Sequence, residues 1–181
     1  LTTADASGMM VSLIQSNYMG FGSGVVVPGT GVSLQNRGHC FTLEAGHPNV
    51  VEPRKRSFHT IIPGFVTQDG RPVMSFGVMG GNMQPQGHLQ TLVRMLLHGQ
   101  QPQAACDAPR WKVGLGKHID CEHTMSKVLV DGLRALGHDI APVDAVTDFG
   151  SGQFIARMTD DAEDGYVAAS DSRREGQAVG Y

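Results

Sequence analysis

The chain has 181 residues, enough for one domain with a sizeable buried core, and its 40% apolar and 17% charged content suits a packed protein rather than a disordered one. A formal net charge of −3 argues against nucleic acid or an anionic membrane surface as partner, and no uninterrupted apolar run approaches the roughly 20 residues of a membrane span. Cys40, Cys106 and Cys121 are widely spaced and contain no CxxC pair, which indicates neither a disulfide framework nor a zinc ribbon and points to buried or partly buried free thiols.

In chain order, Asp5-Ala6-Ser7-Gly8 reads as a turn between two strands, the second over residues 9–16. Gly20-Phe21-Gly22-Ser23-Gly24 is a loop, Val25-Val26-Val27 is short and apolar, and Pro28-Gly29-Thr30-Gly31 turns the chain again. Ile61-Ile62-Pro63 precedes a strand at Phe65-Val66-Thr67, and Gln68-Asp69-Gly70-Arg71 is a hairpin signal returning through Val73-Met74-Ser75-Phe76. Beyond Asn82, read as an N-cap, Leu89, Leu92, Val93, Leu96 and Leu97 recur at helical spacing as far as about His98, where Gly99 stops them. A short helix at 102–108 follows. A second amphipathic helix over 124–136 lines Met125, Val128, Leu129, Leu133 and Leu136 on one face, and Gly137 caps it. Phe154-Ile155-Ala156-Arg157-Met158 and Tyr166-Val167-Ala168-Ala169 read as strands, with the acidic run from Asp160 to Asp164 as a solvated turn between them. Strands, then helices, then strands predict an α+β layered fold over 1–181 as a single domain, with no internal repeat or linker.

The segment most charged with chemistry is Gly77-Val78-Met79-Gly80-Gly81-Asn82-Met83-Gln84-Pro85-Gln86-Gly87-His88. Two adjacent glycines sit where a strand hands over to a helix. The first N–H groups of a helix have no acceptor within it, and glycine has no Cβ to block close approach. Such a junction suits a developing oxyanion in acyl transfer, although most strand–Gly–helix junctions are structural.

This block, residues 16–24, Leu34-Gln35-Asn36-Arg37-Gly38 and the tail from Ala169-Ser170-Asp171-Ser172-Arg173-Arg174-Glu175-Gly176 to Gly180-Tyr181 stand in the order found in one family. Over nearly its whole length the chain resembles the small, C-terminal subunit of the gamma-glutamyltransferases, with most likeness to the branch that includes cephalosporin acylases. The resemblance implies an N-terminal-nucleophile hydrolase: half of an αββα sandwich, completed by a large N-terminal subunit cut from the same precursor. It implies no cofactor and no metal, and a small γ-glutamyl or glutaryl amide as substrate. The family's nucleophile is a threonine exposed by self-cleavage, with its own α-amino group as base. Matching Asp5, Gly8, Phe21-Gly22 and Gly80-Gly81 to the family places that threonine three residues before Leu1, so the chain reads as the small subunit without its first few residues, inactive as written. Thr2 or Thr3 as nucleophile would shorten the first hairpin.

The remaining site residues follow from the same register. Ser16 matches a hydroxyl that hydrogen-bonds the nucleophile; a serine ending a strand is otherwise ordinary. Tyr18 replaces the family's asparagine, with Asn17 one place earlier as a substitute amide. Cys40 replaces the acidic residue that pairs with the glutamyl α-ammonium, and Arg37 replaces a neutral amide. A guanidinium suits a carboxylate and Cys40 brings no charge, so the exchange points to an acyl group with a carboxylate and no amine, such as glutaryl; a surface ion pair is the other use for Arg37. His59-Thr60 matches two serines that hold the substrate carboxylate. Gly80 and Gly81 match the oxyanion glycines without departure. Arg110, Asp171 and Arg173 match framework positions, and His118-Ile119-Asp120-Cys121-Glu122-His123 fits no zinc spacing. The leading function is acyl transfer from γ-glutamyl amides to water or an amine. The alternatives are a glutaryl-amide acylase and, from another class, a non-catalytic assembly or binding module.

Overall fold

The computed structural model describes residues 1–59, 62–161 and 164–181. It falls into two compact units, one made of Leu1–Leu13 with Ile62–Tyr181 and the other of Ile14–Ile61.

The first unit opens with a hairpin, β1 (Thr2–Ala4) antiparallel to β2 (Met10–Ser12). The Asp5 carboxylate accepts from the Ser7 N–H and hydroxyl at 2.9 and 2.6 Å, and Gly8 takes a positive φ of 85°, which closes the turn. Leu1 and Leu13 add one more pair of main-chain hydrogen bonds, at 3.1 and 2.9 Å. The second strand covers Met10–Ser12 and does not run on to residue 16.

A four-stranded antiparallel sheet follows, in the order β3 (Gly64–Gln68), β4 (Arg71–Met79), β8 (Ser151–Arg157) and β9 (Tyr166–Ser170). Asp69 and Gly70 both have positive φ, 51° and 77°, the left-handed pair that a two-residue hairpin turn requires. Alternation along β4 serves two layers. Met74, Phe76 and Val78 are buried with Cys106, Phe154 and Ala169 beneath helix α1 (Gln84–Leu92), a π-helical turn (Val93–Leu97) and α2 (Pro102–Asp107). Ser75 faces the other way, where its hydroxyl donates to the Val11 carbonyl at 2.6 Å, while Ser12 of the hairpin donates to the Phe76 carbonyl at 2.9 Å. The unit is thus layered as hairpin, sheet and helices.

A second sheet joins β5 (Trp111–Val113), β6 (His118–Glu122) and β7 (Asp139–Val143); β5 and β6 are antiparallel, whereas β6 and β7 are parallel and linked by helix α3 (Lys127–Ala135). Its core is Ile119, Cys121, Met125, Val130 and Ile140, with Trp111 and Leu133 against them. The expected apolar face of α3 is corrected here. Val130, not Val128, Leu129 or Leu136, is buried, because the stripe meeting the sheet runs through Met125, Val130 and Leu133 and leaves the other three exposed. Gly137, φ 89°, ends the helix by donating to the Arg134 carbonyl at 2.9 Å. Among the described residues no helix is long and apolar enough to cross a membrane.

Four charged side chains weld the two sheets. Arg110 and Asp171 are fully buried and meet at 2.7 Å; Arg173 bridges Asp171 at 3.0 Å and Glu122 at 2.5 Å. The set is two cations and two carboxylates, so burial leaves no net charge. Burial pushes the Asp171 pKa up, but the Arg110 guanidinium, the N–H groups of Arg173 and Gly152, and the Arg173 charge outweigh it and hold the carboxyl below its usual range. The same burial pushes the Cys106 thiol up to about 12, which keeps it protonated and inert. Because the folded pKa of Asp171 is depressed, its stabilisation is present above about pH 3.9 and is lost as pH falls through the folded value. Asp171→Asn strands Arg110 and is expected to cost about 3–5 kcal/mol in denaturant unfolding of the intact protein at neutral pH, with a smaller difference from wild type once acid has protonated Asp171 in both states.

Candidate active site

The sequence-derived site residues divide between the two units, and each group is described within its own. In the first unit, β4 leaves its ladder at the pair Met79–Ser151. Gly80 then takes φ 137° and Gly81 φ 58°, and a 3-10 turn over Gly81–Met83 leads into α1. The Met83 N–H donates to the Gly80 carbonyl at 3.0 Å. Asn82 is not the N-cap expected: Gly80 caps the 3-10 turn and Met83 precedes α1, neither with a side-chain cap, and Asn82 lies inside the turn. Pro85 in the first turn of α1 lacks an N–H and has a fixed φ, which favours a helix start just there.

The glycines are required for different reasons. A Cβ on Gly80 would lie 2.9 Å from Gly150 Cα and 3.2 Å from Met83 Cβ, whereas one on Gly81 would meet open space and suffer only from the left-handed φ. Gly150 is itself crowded, for its Cβ would come 2.2 Å from the Met79 carbonyl oxygen. Arg110 donates to the Phe149 and Gly150 carbonyls at 3.0 and 3.2 Å, so the buried ion network braces the backbone against which Gly80 rests. A cleft of about 450 Å³ opens beside this turn, with Gly80, Asn82, Gln86, Lys112 and Asp148 among its walls. Gln86 is fixed there by accepting from the Val113 N–H at 2.7 Å.

In the second unit, the Ser16 hydroxyl accepts from the Tyr18 N–H at 2.9 Å, and Tyr18 adopts φ 77°, rare for a residue with a side chain. Arg37 begins a 3-10 turn over Arg37–Cys40; its Nη1 donates to the Ser16 carbonyl at 2.9 Å, and its guanidinium carbon lies 5.9 Å from the Tyr18 ring centroid. The Cys40 thiol beside it, together with burial, holds the Tyr18 phenol pKa above its usual value. Asn17 accepts at its carbonyl from the Asn36 N–H at 3.2 Å, and the Asn36 side chain accepts from the Met19 N–H at 3.0 Å. Ser16, Asn17, Tyr18, Arg37 and Cys40 are therefore brought together. Among the described residues Arg37 makes no ion pair, and its Nε is buried without a hydrogen-bond partner. His59 is half-buried, with Nδ1 likewise unpartnered among the described residues. Thr60 lies outside the described residues. Two contributors escaped the sequence reading of the site: Asn36, which stood inside a quoted motif, and Gly150, for whose approach to Gly80 no local signal exists.

Comparison with known proteins places this geometry. The family model described as gamma-glutamyltranspeptidase matches residues 1–181. A glutathione hydrolase-like proenzyme of Bacillus subtilis, YwrD, is 40% identical over 97% of this chain and 34% of its own length. A cephalosporin acylase from Bacillus halodurans superposes with a TM-score of 0.90 at 50% identity, covering 97% of this chain and 32% of that one. A gamma-glutamyltranspeptidase chain from Pseudomonas nitroreducens, solved with L-DON, gives a TM-score of 0.83 at 25% identity over 99% of this chain and 97% of that one. The chain spans about a third of the length of the curated relatives it matches most strongly.

The glycine turn makes a graded prediction. Gly81→Ala should cost about 1–2 kcal/mol through its left-handed backbone alone. Gly80→Ala, which adds a collision with Gly150, should cost about 1–3 kcal/mol more. Urea midpoints of the two variants in the intact protein check the order, and equal losses would show that Gly80 is not crowded.

Proposed function

The chain belongs to the gamma-glutamyltranspeptidase family of N-terminal-nucleophile hydrolases, and from that premise we propose that it is the small, catalytic subunit of an enzyme transferring the acyl group of γ-glutamyl amides to water or an amine. A threonine, set by the family register three residues before Leu1, attacks the amide carbonyl, and its α-amino group takes the hydroxyl proton. Negative charge gathers on the carbonyl oxygen at Gly80-Gly81. Collapse of the tetrahedral species expels the amine with a proton and leaves an ester, which water or an acceptor amine opens. Ser16 orients the nucleophile, Arg37, His59 and Thr60 hold the polar end of the acyl group, and Asn17, Tyr18 and Cys40 form its wall. The observation that carries this reading is the Gly80-Gly81 turn: a strand-to-helix junction where both glycines take positive φ and Gly80 packs closely on Gly150, with a cleft beside it. Exposed apolar side chains such as Leu96, Leu97, Val128 and Leu136 support cover by a large subunit of the same precursor, and the proenzyme relatives, about three times as long, agree with that.

The Arg37–Cys40 turn favours a second reading, a glutaryl-amide acylase. Where an α-ammonium would need a carboxylate, Cys40 offers only a thiol, and the nearby guanidinium has a donor, Nε, without a partner among the described residues. The test compares kcat/KM of the intact, matured protein on γ-glutamyl-anilide and glutaryl-anilide. The γ-glutamyl substrate is expected to lead, and a tenfold preference corresponds to about 1.4 kcal/mol. Equal or faster turnover of glutaryl-anilide puts the acylase first, and no turnover of either overturns both readings. Arg37→Met should raise KM for glutaryl-anilide about tenfold or more, with a smaller change in kcat, as expected for loss of a charged hydrogen bond made equally in ground and transition states.

A further inference from the structure

The strand that delivers Gly80 is held by an uncommon partner. β3 pairs with β4 no farther than Gly64 opposite Phe76. Two residues on from that pair, the Val78 N–H donates to Nε2 of His88 at 2.9 Å. His88 lies on α1, whose preceding residue, Gly87, packs so closely on Val78 that a Cβ there would come 2.7 Å from Val78 Cγ1. The imidazole stands edge-on to Phe76, 5.0 Å between centroids, and is half-buried. The groups facing it, the Phe76 ring and the Val78 N–H of β4, carry no charge. On the elements packed against α1, Arg94 is turned to the Ala108 and Pro109 carbonyls and Arg71 lies at the far end of β4.

We propose that His88 is a positioning residue for the oxyanion turn: its neutral imidazole, by accepting the Val78 N–H, fixes the end of β4 two residues before Gly80, and protonation removes that acceptor and lowers turnover. The inference rests on the function assigned above to Gly80 and Gly81. A ring carrying protons on both nitrogens would face the Val78 N–H with a second donor. Burial holds the His88 pKa below the ordinary histidine value, so the acceptor is intact near neutrality and is lost as pH falls from about 6.5 through the folded value.

The test is the pH profile of kcat and KM for γ-glutamyl-anilide with intact, matured wild type, His88→Gln and His88→Leu. The α-amino group of the nucleophile titrates as well, with an ordinary pKa of about 8, so the signature is a second proton. In wild type the slope of log kcat against pH should steepen from about one towards two in the acid range, with KM nearly unchanged. His88→Gln, an acceptor that does not titrate, should keep kcat within about threefold at pH 8 and hold the slope near one; His88→Leu should lose about tenfold or more in kcat at every pH. A wild-type slope that never exceeds one, a second proton retained in His88→Gln, or an undiminished kcat in His88→Leu overturns the proposal. Should the variants not fold, ring-nitrogen NMR of wild type decides. An Nδ1–H tautomer titrating with the lower kinetic pKa is expected, and an Nε2–H tautomer refutes it. Absence of turnover on both anilides would overturn the acyl-transfer reading itself and the role of His88 with it, whereas turnover with a failed pH signature removes only the latter.

Discussion

At the junction of β4 and β8 two main chains lie closer than a side chain on either would permit. Gly80 rests on Gly150, and Gly150 rests on the Met79 carbonyl. This contact sets where β4 stops, how the chain turns into α1, and where the first turn of that helix points. Nearby elements bear on it from three sides: the buried guanidinium of Arg110 holds the Phe149 and Gly150 carbonyls, α1 presses Gly87 onto Val78, and β8 begins its ladder at Ser151. The turn proposed to receive negative charge is thus set by packing rather than by its own flexibility, which is the condition for stabilising a transition state without reorganisation.

Arg110 shows how charge can be buried at tolerable cost. Its guanidinium meets a carboxylate and three main-chain carbonyls, those of Cys106, Phe149 and Gly150, and Asp171 in turn accepts from Arg173 and from the Gly152 N–H. A buried ion pair alone is weak evidence of stability. Here it joins α2, β6, β8 and the segment after β9. Its value lies in specifying one arrangement of the two sheets.

The second unit obeys a different logic. Tyr18, one of its residues with positive φ, lies with its ring beneath Arg37, and Arg37 reaches back to the Ser16 carbonyl. These contacts lock two short loops together through side chains that have no part in any strand or helix core.

Local pattern in the chain was enough to locate most elements. Asp69-Gly70 announces a two-residue hairpin, Gly137 ends α3, Pro102 opens α2, and the apolar run through Val73–Phe76 marks β4, because each signal acts within a few residues. β5 and β7 left no such mark: the first has three residues, and the second contains Pro142, tolerated because β7 is an edge strand paired only with β6. The spacing of α3 showed an amphipathic helix but not which flank would be covered, since Val130 is chosen by the position of Ile119 and Ile140. The motif around Gly80-Gly81 was legible as a junction. That Gly150 would press on it, that Arg110 would meet Asp171 across 61 positions, and that His88 would accept the Val78 N–H were decided by the tertiary structure. The periods of helix and strand are properties of neighbouring residues, whereas which backbone finds which is settled by packing between segments far apart in the chain.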